Sequence, residues 1–267
     1  MAAPPRGARI GAAALLGAMT SAGLAGCWPP LDELTVPSIV SYRDTVLADA
    51  PVGYWRLEEQ HGATTAVDET AGHHDAAYEG AITFGVGAVA GGAAVFDGTS
   101  ARIVVGDLFD FAGYTSFTIE VWIKPSVLDA EYRRVFSKGN VDANGLLDGY
   151  ELVTDQGVSG LVFLRVAAGV AQAEIVDVPP PSTSDFTHVV LACNDSTVTL
   201  FVNGMIPANG VVAFTGPAVE TMSPFVWGST SPGSSFFAGA LDELAVYDTA
   251  LAPARVAAHY RAGKAAP

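Results

Sequence analysis

Apolar and polar residues alternate along many short stretches of this chain, and turn residues separate the stretches. The run SFTIEVWIKP, residues 116–125, shows this pattern clearly. One face of the predicted strand carries Phe117, Ile119, Val121 and Ile123. The other face carries Thr118, Glu120, Trp122 and Lys124, so Glu120 is the single acid on its strand.

Paired runs of this kind predict hairpins. HVVLACNDSTVTLFVNG has turn residues at 194–196 and a second turn signal at Asn203-Gly204. LVFLRVAAG followed by AQAEIVDV predicts another hairpin. Only the C-terminal run PARVAAHYRAG predicts a helix, starting near Pro253 and stopping at Gly263. Many short strands with almost no helix predict an all-β fold, an antiparallel two-sheet jelly-roll sandwich.

The composition allows such a fold to bury a large core. Of 267 residues, 50% are hydrophobic and 15% are charged, and the 29 glycines and 16 prolines suit frequent turns. This length permits one large all-β domain or two small ones.

The N-terminal residues predict export. Residues 1–26 combine Arg6 and Arg9 with an apolar run, and Leu-Ala-Gly before Cys27 resembles a bacterial lipobox. We therefore expect a lipoprotein signal peptide at 1–26, lipidation at Cys27, a proline-rich tether at 27–41 and the domain at 42–263. The alternatives are an ordinary signal peptide or a single transmembrane helix. The expected location is the bacterial cell envelope, at the outer membrane or cell surface.

Charge limits the partners. The net charge of −15 makes nucleic acid and anionic lipid poor partners, so we expect membrane contact only through the N-terminal lipid. The same charge favours divalent cations. Cys193 lies in an apolar strand and is predicted to be a buried, inert thiol, with a Cys27–Cys193 disulfide as the alternative.

Several segments in order resemble one family. YWRLEE, DETAGHHDA, GGAAVFDGTSARIVV, FTIEVWIKP, VFSKG, HVVLACNDSTVTLFVNG and FAGALDELAVYDTALAPARVAAHY are similar to a laminin-G-like jelly-roll domain of the concanavalin A-like lectin/glucanase superfamily. The resemblance implies two packed antiparallel sheets, one of them concave. It also implies frequent calcium binding and recognition of glycans or proteins. Phe186 departs from the pattern, because many relatives carry Trp there.

A structural calcium is predicted around Asp242. In ALDELAVYD, alternation places Asp242 with Leu244 and Val246 on the core face, where an ionised carboxylate is costly unless paired or bound to metal. Asp68 and Asp97 are the expected co-ligands. The alternative is that Asp242 caps a turn. The segment DANGLLDGYE could bind a second calcium through Asp142, Asn144 and Asp148, but a polar hairpin loop is the more ordinary interpretation.

The sequence favours binding over catalysis. No ExDxxE pattern places two carboxylates on one strand face, and Glu174 and Asp177 fall on opposite faces. Sugars would instead stack on aromatic side chains in or near loops. The candidates are Tyr132, Tyr150, Trp227, Phe236 and Phe237. We expect a non-catalytic lectin-like module that binds carbohydrate, with a module that binds an envelope or extracellular protein, or a glycan-active hydrolase, as alternatives.

Overall fold

Two antiparallel sheets pack face to face, with one helix before the first strand and one after the last. The computed structural model describes residues 40–89, 91–142, 145–155 and 160–265. Within these residues the order of elements is α1, sixteen strands and α2. This confirms the predicted all-β two-sheet sandwich with a short C-terminal helix.

Sheet A is centred on the strand predicted from SFTIEVWIKP. From edge to edge it consists of β14 (Val211–Ala213), β13 (Thr197–Val202), β12 (Thr187–Cys193), β7 (Phe117–Pro125), β16 (Ala238–Tyr247), β5 (Gly92–Asp97) and β4 (Ile82–Val86), and β1 (Gly53–Trp55) pairs with β16. The predicted 188–204 hairpin is β12 and β13. Its Asn203-Gly204 turn has the positive φ values, 52° and 75°, that the sequence signal requires.

Sheet B contains the second predicted hairpin. Its order is β11 (Val170–Val178), β10 (Gly160–Ala167), β9 (Gly145–Asp155), β8 (Arg133–Asp142), β15 (Phe225–Trp227), β6 (Arg102–Gly106), β3 (Ala76–Glu79) and β2 (Thr65–Ala66). The polar loop expected around DANGLLDG is shorter than predicted, because β8 continues to Asp142 and β9 begins at Gly145.

The main core lies between the sheets. Phe117, Ile119, Val121 and Ile123 all enter it, which confirms the alternation predicted for β7. Cys193 is also buried there, and burial raises the pKa of its thiol well above the ordinary value. The prediction of a buried thiol is therefore confirmed.

The two helices differ from the sequence expectation. Helix α1 (Tyr42–Leu47) was not predicted, although Ser41 caps it by accepting a hydrogen bond from the Asp44 backbone N–H at 3.1 Å. Helix α2 (Pro253–Ala265) does not stop at Gly263. Gly263 is instead buried against Trp122, where an added Cβ would lie 2.3 Å from the ring.

The outer faces of the sheets have different surroundings. Both helices pack on the outer face of sheet A over a second apolar cluster that includes Tyr42, Trp122 and Val256. The outer face of sheet B instead carries an open groove. Within the described residues, no helix has the length and apolar character needed to cross a membrane.

Candidate functional site

A sealed polar cluster lies between sheet A and the helices, with Glu120 at its centre. The side chain of Glu120 is fully buried. Its Oε1 accepts hydrogen bonds from the Tyr42 hydroxyl and faces His188 Nε2, both at 2.7 Å. Its Oε2 accepts from the Tyr247 hydroxyl at 3.0 Å and lies 2.8 Å from His259 Nδ1. Glu120 remains the single acid of β7, but its partners come from distant parts of the chain and could not be predicted from the strand itself.

His259 joins two carboxylates. Its Nδ1 faces Glu120, and its Nε2 lies 2.7 Å from Asp49 Oδ2. With both carboxyl groups ionised, each can only accept a hydrogen bond, so this geometry favours a proton on both ring nitrogens of His259. Arg255 also donates to Asp49, at 2.8 Å. The cluster thus connects α1, α2 and the middle of sheet A.

The charges of this cluster sustain one another. Burial by itself would raise the pKa of Glu120, but the charge of His259 and hydrogen bonds from His188 and His259 hold that pKa well below its ordinary value. Burial opposes the charge on His259 as well, yet Glu120 and Asp49 raise its pKa. Glu120, His188 and His259 are fully buried and offer no surface to a ligand, so their role is structural.

Asp242 faces the helix side of sheet A and not the core between the sheets. It pairs with Trp122, which packs in the helix-side cluster, and directly paired residues point to the same face. A β-bulge between Asp242 and Ala245 inserts one extra residue, with Glu243 at a φ of 53°. The predicted grouping of Asp242 with Leu244 and Val246 is therefore wrong, because the bulge shifts the alternation.

The bulge places two buried acids side by side. Asp242 Oδ2 accepts the Ala88 backbone N–H at 2.6 Å, whereas Oδ1 is buried without a well-oriented hydrogen bond to a described residue. Burial and the nearby Glu243 raise the pKa of Asp242 well above its ordinary value. Glu243 accepts from the Tyr54 hydroxyl and from Arg56, but burial raises its pKa to about 7.

The two expected co-ligands of Asp242 are occupied elsewhere. Asp68 accepts backbone N–H bonds from Tyr54, Thr70 and His74 at 2.8–2.9 Å, which organises its own loop. Asp97 is opposite Ala238, four residues from Asp242 and so about 13 Å away along β16. Its carboxylate accepts five hydrogen bonds from residues 99–101.

The structure does not bring Asp68, Asp97 and Asp242 together. Across the described residues, no group of three or more His, Cys, Asp or Glu side chains is placed to hold a metal ion. In the second candidate segment, Asn144 lies outside the described residues, and Asp148 accepts the Ala168 backbone N–H at 2.7 Å. The predicted three-carboxylate set thus does not fit one shared calcium, and calcium binding stays a prediction.

The open groove lies on the outer face of sheet B and has a volume of about 710 Å³. Alternation along the strands explains its position: Leu152, Phe163 and Ile175 point into the core, while the residues between them line the groove. The strands contribute Arg134, Val141, Asp142, Gly145, Leu146, Glu151, Val153, Val162, Leu164, Glu174 and Val176. Two loops, 130–132 and 230–235, supply the rim.

An ion pair lies in the floor of the groove. Arg134 Nε and Nη2 donate to the two carboxylate oxygens of Glu151 at 3.1 and 3.2 Å. A third nitrogen, Nη1, donates to the Tyr132 carbonyl at 3.1 Å and so joins the floor to the rim. The Tyr132 side chain is 49% exposed and lines the groove. This combination of an exposed ring, apolar strips and polar groups suits a small polar ligand.

The five aromatic candidates separate into three environments. Tyr132 alone of the five lines the groove. Phe236, which precedes Phe237 in the sequence, is half-buried. Its backbone carbonyl accepts a hydrogen bond from Arg133 at 3.0 Å. Tyr150, Trp227 and Phe237 are core residues between the sheets. These three cannot stack on a sugar, and that prediction is wrong because their positions face inward.

The sequence does not reveal most of the other groove residues. Nothing in it marks Glu151, and it points to Asp142 only as a calcium ligand and to Glu174 only as half of a catalytic pair. Leu164 pairs with Glu151 on one neighbouring strand and with Glu174 on the other. This register places the two acids on the same outer face of sheet B. Cys27, the predicted lipidation site, lies outside the described residues.

These features define a jelly-roll sandwich with a helix-covered sheet and an open sheet. Residues 97–257, more than half of the chain, match the laminin G-type family of the concanavalin A-like lectin/glucanases superfamily. The chain therefore belongs to that superfamily. No curated protein sequence matches it.

Solved structures of several proteins share the fold. Domain 4 of AbnA, a GH43 extracellular arabinanase from Geobacillus stearothermophilus solved with arabinotriose, aligns at a TM-score of 0.61 and 19% identity, over 79% of this chain and 98% of that one. The binding domain of Paraclostridial Mosquitocidal Protein 1 aligns at a TM-score of 0.61 and 16% identity, over 80% of this chain and 52% of that one. A Trypanosoma rangeli sialidase solved with sialic acid aligns at a TM-score of 0.53 and 16% identity, over 80% of this chain and 33% of that one. At these identities the likeness concerns the fold.

Proposed function

We propose that this chain is a non-catalytic carbohydrate-binding module whose ligand lies in the groove of sheet B. The observation that carries the proposal is the groove itself, about 710 Å³ in volume with Tyr132 exposed at its rim. Ligand sites are typically clefts of about 300–1,000 Å³ with apolar walls and a few polar groups. The arabinotriose and sialic acid complexes of the similar structures agree with this class of ligand.

The arrangement of carboxylates supports binding without catalysis. Glu120 is sealed beneath the helices. In the groove, Glu151 and Glu174 lie on strands to either side of β10, so about two strand spacings, or roughly 10 Å, separate their backbones. Retaining glycosidases need about 5–5.5 Å between carboxyl groups, so this pair does not suit them, and the about 6.5–9.5 Å of inverting enzymes would also need a carboxyl that is free to act. Both oxygens of Glu151 are also engaged by Arg134.

A glycan array followed by titration calorimetry tests the proposal. Tyr132→Ala should weaken binding about tenfold or more, because the exposed ring is the stacking surface. Tyr114→Ala is the matched control, since Tyr114 is 48% exposed against 49% for Tyr132 but does not line the groove. Equal effects of the two changes, or no glycan bound, would overturn the proposal. Hydrolysis that disappears in Glu151→Gln would identify an enzyme instead.

A protein ligand is the second candidate. The binding domain of the mosquitocidal protein and receptor-binding domains of botulinum neurotoxins share the fold. If no glycan binds but an envelope protein is captured, and Tyr132→Ala abolishes that capture, the groove is a protein-binding site.

We also propose that the module is exported and lipid-anchored at Cys27 in the bacterial envelope. The support is the basic residues, apolar run and Leu-Ala-Gly-Cys pattern of the N-terminal sequence. Mass spectrometry of the membrane-extracted chain should show a diacylated N-terminal Cys27. Cys27→Ser should release the chain into the soluble fraction. An unmodified Cys27 in the mature protein would exclude the anchor.

A further inference from the structure

The groove of sheet B carries an excess of negative charge. Among the described residues that line it, four are acids and one is a base: Glu131, Asp142, Glu151, Glu174 and Arg134. The chain as a whole has a net charge of −15, so more distant residues reinforce this local sign. A concave surface of one sign attracts ligands of the opposite sign.

The single guanidinium in the groove is already used by the protein. Arg134 engages both oxygens of Glu151 and the Tyr132 carbonyl. Its donors therefore face protein acceptors, and a carboxylate or sulfate on a ligand would have to compete with Glu151 for them. An anionic glycan would meet like charges without a free cationic partner among the described lining residues.

Two of the groove acids, Glu174 and Glu131, have capacity for a cation. Glu174 is exposed and forms no ion pair with another described residue. Glu131 is exposed too, and its cationic neighbour, Arg133 Nη2, lies 3.7 Å away while it binds Asp129 at 2.6 Å. The open ring of Tyr132 adds a face on which an ammonium group can sit.

We infer that the groove takes a glycan bearing free amino groups, such as a deacetylated hexosamine chain, and rejects glycans that bear carboxylate or sulfate. This inference rests on the proposed carbohydrate-binding function of the same groove. The ammonium groups would be held by Glu174 and Glu131, and the sugar ring would stack on Tyr132.

The test uses probes that differ only in charge. Chitosan oligosaccharide, the fully N-acetylated oligosaccharide of the same length and an oligogalacturonate are titrated into the whole chain at about pH 5.5, where the amino groups of the glycan are protonated. The amino form should bind about tenfold tighter than the acetylated form, and the oligogalacturonate should bind weakest. The difference should shrink between about 0.05 M and about 0.5 M salt, because exposed charges are screened.

Two variants locate the effect. Glu174→Gln should weaken binding of the amino form about two- to fivefold, the usual worth of an exposed ion pair, and leave the acetylated form unchanged. Asp195→Asn makes the same charge change in the exposed turn between β12 and β13, outside the groove, and should change neither. Equal binding of the amino and acetylated forms, or tight binding of oligogalacturonate, would overturn the inference. If Tyr132→Ala still weakened glycan binding in that case, the proposed carbohydrate-binding function would stand. Absence of any glycan binding would overturn both.

Discussion

His259 Nδ1 lies 2.8 Å from Glu120 Oε2, which ties the last helix of the chain to the central strand of sheet A. Both side chains are fully buried. The pair holds α2 against the sheet, and the Tyr42 hydroxyl on the same carboxylate holds α1. Glu120 therefore joins both helices to the sheet through one carboxylate.

Replacing that acid should destabilise the fold. Glu120→Gln keeps the shape but places an amide N–H₂ among donors and leaves His259 with Asp49 as its one remaining carboxylate partner. Removal of one partner of a buried ion pair costs about 3–5 kcal/mol of unfolding free energy. Urea unfolding measures this loss of free energy. The control is Glu220→Gln, at an exposed position, which should change stability by less than about 0.5 kcal/mol. A small loss in Glu120→Gln would show that the cluster contributes little.

Stability should be greatest near pH 5. The pKa of Glu120 is held below its ordinary value of 4.5, so its contribution is present above that value and is lost as the pH falls through the lowered pKa. The pKa of His259 is raised above 6.5, so its contribution is complete below 6.5 and is lost as the pH rises through the raised pKa. Glu243, with a pKa raised from 4.5 to about 7, adds to the loss on the alkaline side.

Glu243→Gln isolates one part of this pH dependence. The amide oxygen can still accept a hydrogen bond from Tyr54, but the group no longer ionises. The variant should therefore lose about 2–3 kcal/mol less stability than the unmodified chain between pH 5 and pH 8. Denaturant unfolding at a series of pH values measures this. Parallel curves for the two proteins would contradict the assignment.

The effect of the buried Asp242 carboxyl on stability can be measured without calcium. In chelator at about pH 8, Asp242→Asn should raise the unfolding free energy, because burial and the nearby Glu243 disfavour the ionised carboxyl. Asp97→Asn should lower it, since hydrogen bonds from residues 99–101 outweigh partial desolvation and hold the pKa of the exposed Asp97 below its ordinary value.

Calcium changes the expectation at Asp242 if an ion binds there. Added calcium should then raise the melting temperature of the unmodified chain and leave Asp242→Asn unaffected, because ligand binding stabilises the folded state by mass action. An unchanged melting temperature in the unmodified chain would exclude the predicted structural calcium.

Two aromatic changes should separate core from groove. Trp227→Ala should cost about 3–5 kcal/mol of unfolding free energy, because the ring is fully buried between the sheets. Tyr132→Ala should cost less than about 0.5 kcal/mol, since its ring is half exposed. Thermal and denaturant unfolding measure both. A severe loss in Tyr132→Ala would mean that this ring supports the fold and would weaken its use as a binding probe.

The sequence by itself determined the strands and the class of fold. The alternation in residues 116–125 and the turn signals at 194–196 and Asn203-Gly204 act between near neighbours, and all three reappear in the structure. Helix α1 was also within reach, because Ser41 and Asp44 have the spacing of a capping box. Local periodicity and turn chemistry need no knowledge of distant residues.

Only the tertiary structure decided what those strands present. The partners His188 and His259 lie 68 and 139 residues from Glu120, and no spacing rule connects them. One bulge after Asp242 turned a predicted core-facing acid toward the helices. The groove arose from register across three strands, which set Glu151, Leu164 and Glu174 side by side. Faces, registers and bulges depend on which strands pair, and pairing is a property of the whole chain.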